Sequence, residues 1–312
     1  MARGSAGGIM DSSSPAEYKQ RWETAGWCVV QNVVPADVLA EAQRALPDVF
    51  PTADEFADRV DPHRNAPFLT ERGSPTPQFP FESDALNAIA LHDAIIDLAE
   101  HMLGIDDLRL YQAEVTAKYS NAAPDYEQLL HVDYANHTLV VPRTDVGYQH
   151  VTMFVYLSDV TPETAATRVV SRQHTADVPI ERTYLHLEEY ADVYASEESA
   201  SGPAGSVFVY RPDVFHRGVP LTAPRAARFM LAVAFKPAAT DWIGFHAFPT
   251  RAEDMAWHRF MQYATVRQLT ALGFPKPGDA YWTPETLTGV SARYPSLDMS
   301  PWRNGPLPAR SG

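Results

Sequence analysis

The sequence predicts a mainly β fold, a barrel or sandwich of short strands with helices packed outside it. Two observations carry this. Apolar, β-branched runs recur at short intervals through the middle of the chain, at Val151–Leu157, Arg168–Val170, Gly205–Tyr210 and Phe229–Phe235, with turn residues between them. Segments with helical apolar spacing lie before and after that block. With 312 residues, 45% hydrophobic and 21% charged, the chain has ample core for one soluble domain. We expect that domain to span 11–312, with the barrel at about 105–237 and a helical extension at about 250–312.

Residues 1–10 are Gly/Ser-rich and end on a second methionine, so they read as an added leader, expected to be disordered and outside the fold. Ser14-Pro15 with Glu17 has the form of a helix start, and Gly26 ends that helix. Cys28–Val33 reads as a strand, and 35–46 as a second helix through Val38, Leu39, Ala42 and Leu46. The stretch 51–82 is proline-rich and scatters Phe56, Phe68, Phe79 and Phe81 without a period, which reads as a long ordered loop. Leu86–Leu103 has helical spacing up to Gly104. Leu108–Tyr119 reads as a strand, in which Gln112, Glu114, Thr116 and Lys118 on one face alternate with Ala113, Val115, Ala117 and Tyr119. That face looks either into the barrel or to solvent. A strand is expected at His137–Val141, a surface excursion at 184–199, one helix at 252–272 and another from Thr283, followed by an aromatic tail to Trp302.

Charge and cysteine content narrow the function. The formal charge of −14 repels a nucleic-acid backbone and weighs against polyphosphorylated substrates. No apolar run approaches the roughly 20 residues of a membrane span, and no signal peptide is evident, so the expected location is cytoplasmic. A single cysteine, Cys28, cannot form an internal disulfide and reads as a small buried hydrophobe.

The chemistry centres on His131-Val-Asp133. On a strand, residues two apart project from one face, so the imidazole and the carboxylate arrive together. His216 follows the Gly205–Tyr210 run and can supply a third ligand. Two histidines and one carboxylate on one face of an octahedron leave open positions, a donor set suited to ferrous iron that binds a co-substrate and oxygen. Alone, His-x-Asp is a short pattern, more often a surface pair or a hydrogen-bonded core histidine than a ligand set. Two arginines, Arg225 and Arg228, follow His216 before the Phe229–Phe235 strand, and a guanidinium there can pair with a dicarboxylate through charge-assisted hydrogen bonds.

From about Trp22 to Pro237 the chain resembles the phytanoyl-CoA dioxygenase-like branch of the Fe(II)/2-oxoglutarate-dependent oxygenases. The resemblance lies in Glu23–Val33, the Gln112–Lys118 strand, His131-Val-Asp133, Phe154–Asp159, His216 and Arg228. It implies a double-stranded β-helix, a jelly-roll, cupin-like barrel. It also implies iron at His131, Asp133 and His216, with no catalytic residue beyond these ligands. Fe(II), 2-oxoglutarate and O2 are the implied cofactors, with ascorbate as a stimulant. The resemblance places 2-oxoglutarate at Arg228, with Gln112, Phe154 and Lys118 around it; for Phe154 barrel core is an equal reading. Related halogenases replace the carboxylate by a small residue, so Asp133 disfavours halogenation. Hydroxylation of a small organic molecule is expected, with desaturation, epimerisation and cyclisation open. A zinc hydrolase and a non-enzymatic cupin-like binding module are the alternatives from other classes. Oligomeric state is not readable.

One departure concerns the substrate side. Relatives carry a glycine-containing segment ending Pro-Gly-Ser-His where this chain has Ser171-Arg-Gln-His174. Tyr134, Arg172 and His174 are the expected substrate contacts, and 51–82 the expected lid.

Overall fold

The structure, a computed structural model, describes residues 14–70, 74–123, 126–137, 150–179, 182–240, 248 and 254–304. The expected leader at 1–10 and most of the expected strand at 137–141 lie outside these residues; His137 itself ends a short helix, Tyr134–His137.

The strands are β1 (Trp27–Val30), β2 (Leu108–Tyr119), β3 (Leu130–His131), β4 (Val151–Tyr156), β5 (Arg168–Val169), β6 (Tyr184–Leu185), β7 (Glu198–Ser199), β8 (Val207–Tyr210), β9 (His216–Arg217) and β10 (Ala227–Pro237). They form two five-stranded antiparallel sheets. The major sheet has the order β1-β8-β4-β10-β2, the minor one β6-β3-β9-β5-β7. This is the jelly-roll arrangement of a double-stranded β-helix with flanking helices.

Alternation along the major sheet separates two environments. Its outer face carries Val115, Met153, Val155, Val209, Leu231 and Val233, all fully buried in one core with the helices. Trp22 from the helix Pro15–Ala25, Leu46 from Ala36–Val49 and Ile95 from Asp93–Leu103 enter that core. The first helix begins with a capping box between Ser14 and Glu17 and ends at Gly26 with φ 85°. A side chain at Gly26 would meet Val214 and Arg172 within 2.6 Å, so glycine is required there both for conformation and for space.

Several expectations are corrected. The stretch 51–82 is an irregular loop only in its second part: 53–69 folds into the helices Ala53–Ala57 and Pro62–Asn65 and the 3-10 turn Ala66–Leu69, while 74–82 is irregular and bridges β2 through Gln78 and Glu114. Its four phenylalanines are buried in the helix-side core, where Phe56 stacks on Tyr119 at 4.3 Å and Phe79 meets Phe260 at 5.1 Å. The aromatics therefore build core on the sheet face away from the metal-ligand candidates and do not form a lid. The helix expected at Leu86–Leu103 is two, Asp84–Ala90 and Asp93–Leu103, because the His92 ring accepts from the Ala94 amide and starts a new helix. The helix expected at 252–272 likewise divides into Met255–Met261 and Val266–Ala271, the second opened by a Thr265–Gln268 capping box. The 184–199 stretch supplies both edge strands of the minor sheet. The aromatic tail packs: Tyr294, Leu297, Met299 and Trp302 join the helix-side core. No helix among the described residues is long and apolar enough to cross a membrane.

Candidate metal centre

Register brings the two histidines together. β3 pairs with β9 so that His131 lies opposite His216, and the paired side chains leave the minor sheet on one face with ring centroids 4.6 Å apart. Asp133, two residues beyond His131, returns to that face. Its Oδ1 lies 3.7 Å from Nε2 of His131 and 3.5 Å from Nε2 of His216, and the three ligand atoms fall within 4.8 Å of one another. Each imidazole is oriented from behind, Nδ1 of His131 against the Leu129 carbonyl at 2.9 Å and Nδ1 of His216 against that of Val214 at 3.0 Å. Nδ1 then carries the proton, and each Nε2 keeps its lone pair for the shared centre. The donor set fits one divalent iron.

Tyr210 is a residue that sequence reasoning missed. Its hydroxyl donates to Oδ2 of Asp133 at 2.5 Å, and it is buried beneath His216 with ring centroids 4.7 Å apart. Alternation in β8 was the available signal, since Tyr210 shares the inner face with Phe208. Burial pushes the Asp133 carboxyl upward, but the His216 charge and hydrogen bond, with His137 and His131, outweigh it and hold the acid well below its ordinary range. Burial lowers His131, and His216 adds to that; His216 itself is raised, because Asp133 overcomes its burial.

The polar face of β2 looks into the barrel. Register runs from Gln112 through Ala234 and Thr152 to Tyr210, which holds Asp133, so Gln112 and Glu114 share the interior with the ligands; burial pushes the Glu114 carboxyl up, the Gln112 amide opposes this, and the Asp133 charge adds to the rise. Lys118 pairs in register with Arg228, so two cations stand side by side on the inner face. Lys118 donates to the Val219 carbonyl and Arg228 to that of Ala165. Arg225 is elsewhere: it is exposed and held by Asp58 and Asp54 at 2.8 Å each. Phe154 stands on the inner face of β4, only partly buried, with its ring 5.5 Å from that of Tyr210.

The expected substrate contacts are not brought to this centre. Tyr134 is buried with Val132 and Phe215, residues that alternate with the ligands and so face the other side of the minor sheet. Tyr134 and Arg172 line a separate cavity of about 150 Å³ there, with Arg172 paired to Asp213 at 2.9 Å. His174 is exposed on the short turn Arg172–His174. His137, by contrast, is buried and its Nδ1 meets the Tyr111 hydroxyl at 3.0 Å.

A family model described as phytanoyl-CoA dioxygenase (PhyH) matches residues 22–229. The chain belongs to that family. It is a family of Fe(II)/2-oxoglutarate-dependent enzymes, and the His131–Asp133–His216 cluster is its candidate iron site here. No curated protein sequence matches the chain. Solved structures share the fold. The epimerase SnoN, in complex with Fe3+, alpha ketoglutarate and nogalamycin RO, is 19% identical with a TM-score of 0.54, covering 75% of this chain and 88% of SnoN. EctD from S. alaskensis with bound Fe is 17% identical with a TM-score of 0.55, covering 77% and 83%. AviO1 from Streptomyces viridochromogenes Tue57 is 16% identical with a TM-score of 0.52, covering 74% and 99%.

Proposed function

We propose that this chain hydroxylates a small organic molecule with decarboxylation of 2-oxoglutarate to succinate. The observation that carries the reading is the joint presence, inside one barrel, of the His131–Asp133–His216 donor set and the Lys118–Arg228 cation pair. Iron and 2-oxoglutarate supply the oxidising chemistry when bound. Neighbouring like charges on one sheet face destabilise each other, and a dicarboxylate between Lys118 and Arg228 relieves that repulsion. Phe154 offers the co-substrate an apolar edge beside Tyr210. A zinc hydrolase or a binding module has no need of a dicarboxylate anchor, which is why the oxygenase reading is preferred.

Tyr210 is a positioning residue in this reading. By holding Oδ2, it leaves Oδ1 as the carboxylate oxygen turned toward both imidazoles, the atom through which Asp133 would hold iron. Tyr210→Phe releases Oδ2. It should retain metal binding, weaken 2-oxoglutarate binding about tenfold or more, and alter the X-ray absorption edge of the metal-loaded protein. The function itself is tested by mass analysis of products formed with Fe(II), 2-oxoglutarate and oxygen from a small-molecule panel. Gain of one oxygen atom with stoichiometric succinate supports hydroxylation. Succinate with a product of unchanged mass assigns epimerisation instead, and turnover without 2-oxoglutarate refutes the reading.

A further inference from the structure

We infer that the substrate of this site is rich in hydrogen-bond donors, a polyol or an amine, and that Gln112 and Glu114 on β2 recognise it. The inference rests on the oxygenase reading and adds the substrate class.

Gln112 is 7% exposed, and its Nε2 donates to Oε1 of Glu114 at 3.3 Å. That bond fixes the amide orientation, because an ionised carboxylate can only accept. The Gln112 Oε1 is then turned away, fully buried and without a hydrogen-bond partner among the described residues. A buried acceptor left unpaired is costly, and this one can take a donor that arrives with substrate. Glu114, two residues on, faces the same interior, and its charge and that of Asp133 are felt by each other. This stretch of wall therefore presents acceptors and negative charge.

Small side chains adjoin it. In register, Gln112 and Glu114 lie opposite Ala234 and Ala232 of β10, whose other neighbours are Thr152 and Phe154 of β4. Two small side chains, Ala232 and Ala234, thus separate the polar wall from the Phe154 ring on the inner face. Phe154 stays partly exposed although β4 is the central strand of its sheet. A carbon skeleton can lie against Phe154 while its hydroxyl or ammonium groups reach Gln112 and Glu114.

The same geometry separates substrate from co-substrate. Lys118 and Gln112 are six residues apart on one strand, about 20 Å by strand rise, further than five-carbon 2-oxoglutarate reaches. In this proposal Gln112 serves substrate and not 2-oxoglutarate on the ground of distance, and the neighbouring Glu114, which accepts one of its two amide N–H groups, repels a dianion. Phosphate esters and acyl-CoA thioesters are disfavoured at this wall for the same reason, in line with a net charge of −14.

The test uses full-length protein loaded anaerobically with Fe(II) and 2-oxoglutarate. Calorimetry measures binding of myo-inositol, glucosamine and 1,4-diaminobutane against hexanoate, glucose 6-phosphate and hexanoyl-CoA. Donor-bearing probes should bind tighter than the anionic set. Glu114→Gln should weaken the amines about tenfold or more, and Gln112→Leu should weaken the best binder comparably, with 2-oxoglutarate affinity unchanged in both. Retained 2-oxoglutarate affinity also shows that the variants fold. Donor probes that bind no better than the anionic ones, absence of binding included, overturn the inference, as does unchanged probe affinity in both variants. Failure of the oxygenase reading has a different signature: wild-type protein that takes up no 2-oxoglutarate.

Discussion

The two faces of the major sheet are built from the same strands and have opposite chemistry. On β10, Leu231 and Val233 point outward into the helix-side hydrophobic core, while Arg228, Met230, Ala232 and Ala234 point inward beside Lys118, Thr116, Glu114 and Gln112. On β8, Val209 goes outward, and Tyr210 goes inward to hold Asp133. The outer face behaves as a packed interior, where volume decides stability. The inner face carries charge, buried acceptors and partly exposed rings, features that lower stability and are kept where they serve binding. A period of two is enough to keep scaffold and site apart on a single backbone.

Substitutions on the two faces should therefore fail differently. The largest effect is expected for His216→Ala and Asp133→Ala on the inner side: turnover lost to background with the thermal midpoint of the metal-free protein lowered little, measured by succinate release and calorimetric unfolding. A collapse of folding in both would erase the distinction between faces. Next, Arg228→Ala should raise the 2-oxoglutarate concentration needed for half-maximal rate by about a hundredfold, since it removes a charged hydrogen-bonded partner. Arg225→Ala, at an exposed pair with Asp54 and Asp58, should leave it unchanged, and the reverse ranking would move the anchor.

On the outer side, Leu231→Ala should cost about 2–5 kcal/mol of stability in a denaturant titration while sparing 2-oxoglutarate affinity. Its neighbour Ala232→Leu, on the inner face, should spare 2-oxoglutarate affinity but block substrate. The smallest effect concerns Cys28, whose thiol is pushed up to about 12 by burial against the opposing Arg21 charge. A raised thiol pKa keeps the protonated form at pH 8, so alkylation should stay negligible until the protein is denatured. Rapid labelling of the native protein would show that the outer core opens.

Much of this was legible beforehand, for reasons that differ by element. β2 alternates strictly from Gln112 to Tyr119, beyond an irregularity in the ladder at Tyr111, and its limits were read directly. The metal candidates were legible because His131-Val-Asp133 obeys a local period; that His216 lies opposite His131 depends on a long-range register that spacing does not encode. The same alternation puts Tyr134 on the wrong face for substrate, a consequence available from the period and not drawn. The 51–82 stretch misled because short capped helices leave no long apolar period, and its phenylalanines find partners such as Tyr119 and Phe260 far along the chain. The break before Asp93 was hidden because His92 caps through its ring nitrogen, an unusual acceptor for that position. Tyr210 looked like one more apolar residue of a strand until its hydroxyl met Asp133.

Whether iron and 2-oxoglutarate meet inside this barrel is tested most directly by anaerobic calorimetric titration of Fe(II) into the full-length protein, with and without 2-oxoglutarate. The expected result is one Fe(II) per chain, 2-oxoglutarate binding that requires the metal, loss of the metal in Asp133→Ala, and loss of 2-oxoglutarate but not of the metal in Arg228→Ala. Metal binding that survives Asp133→Ala, or 2-oxoglutarate binding of equal strength with and without iron, would contradict it.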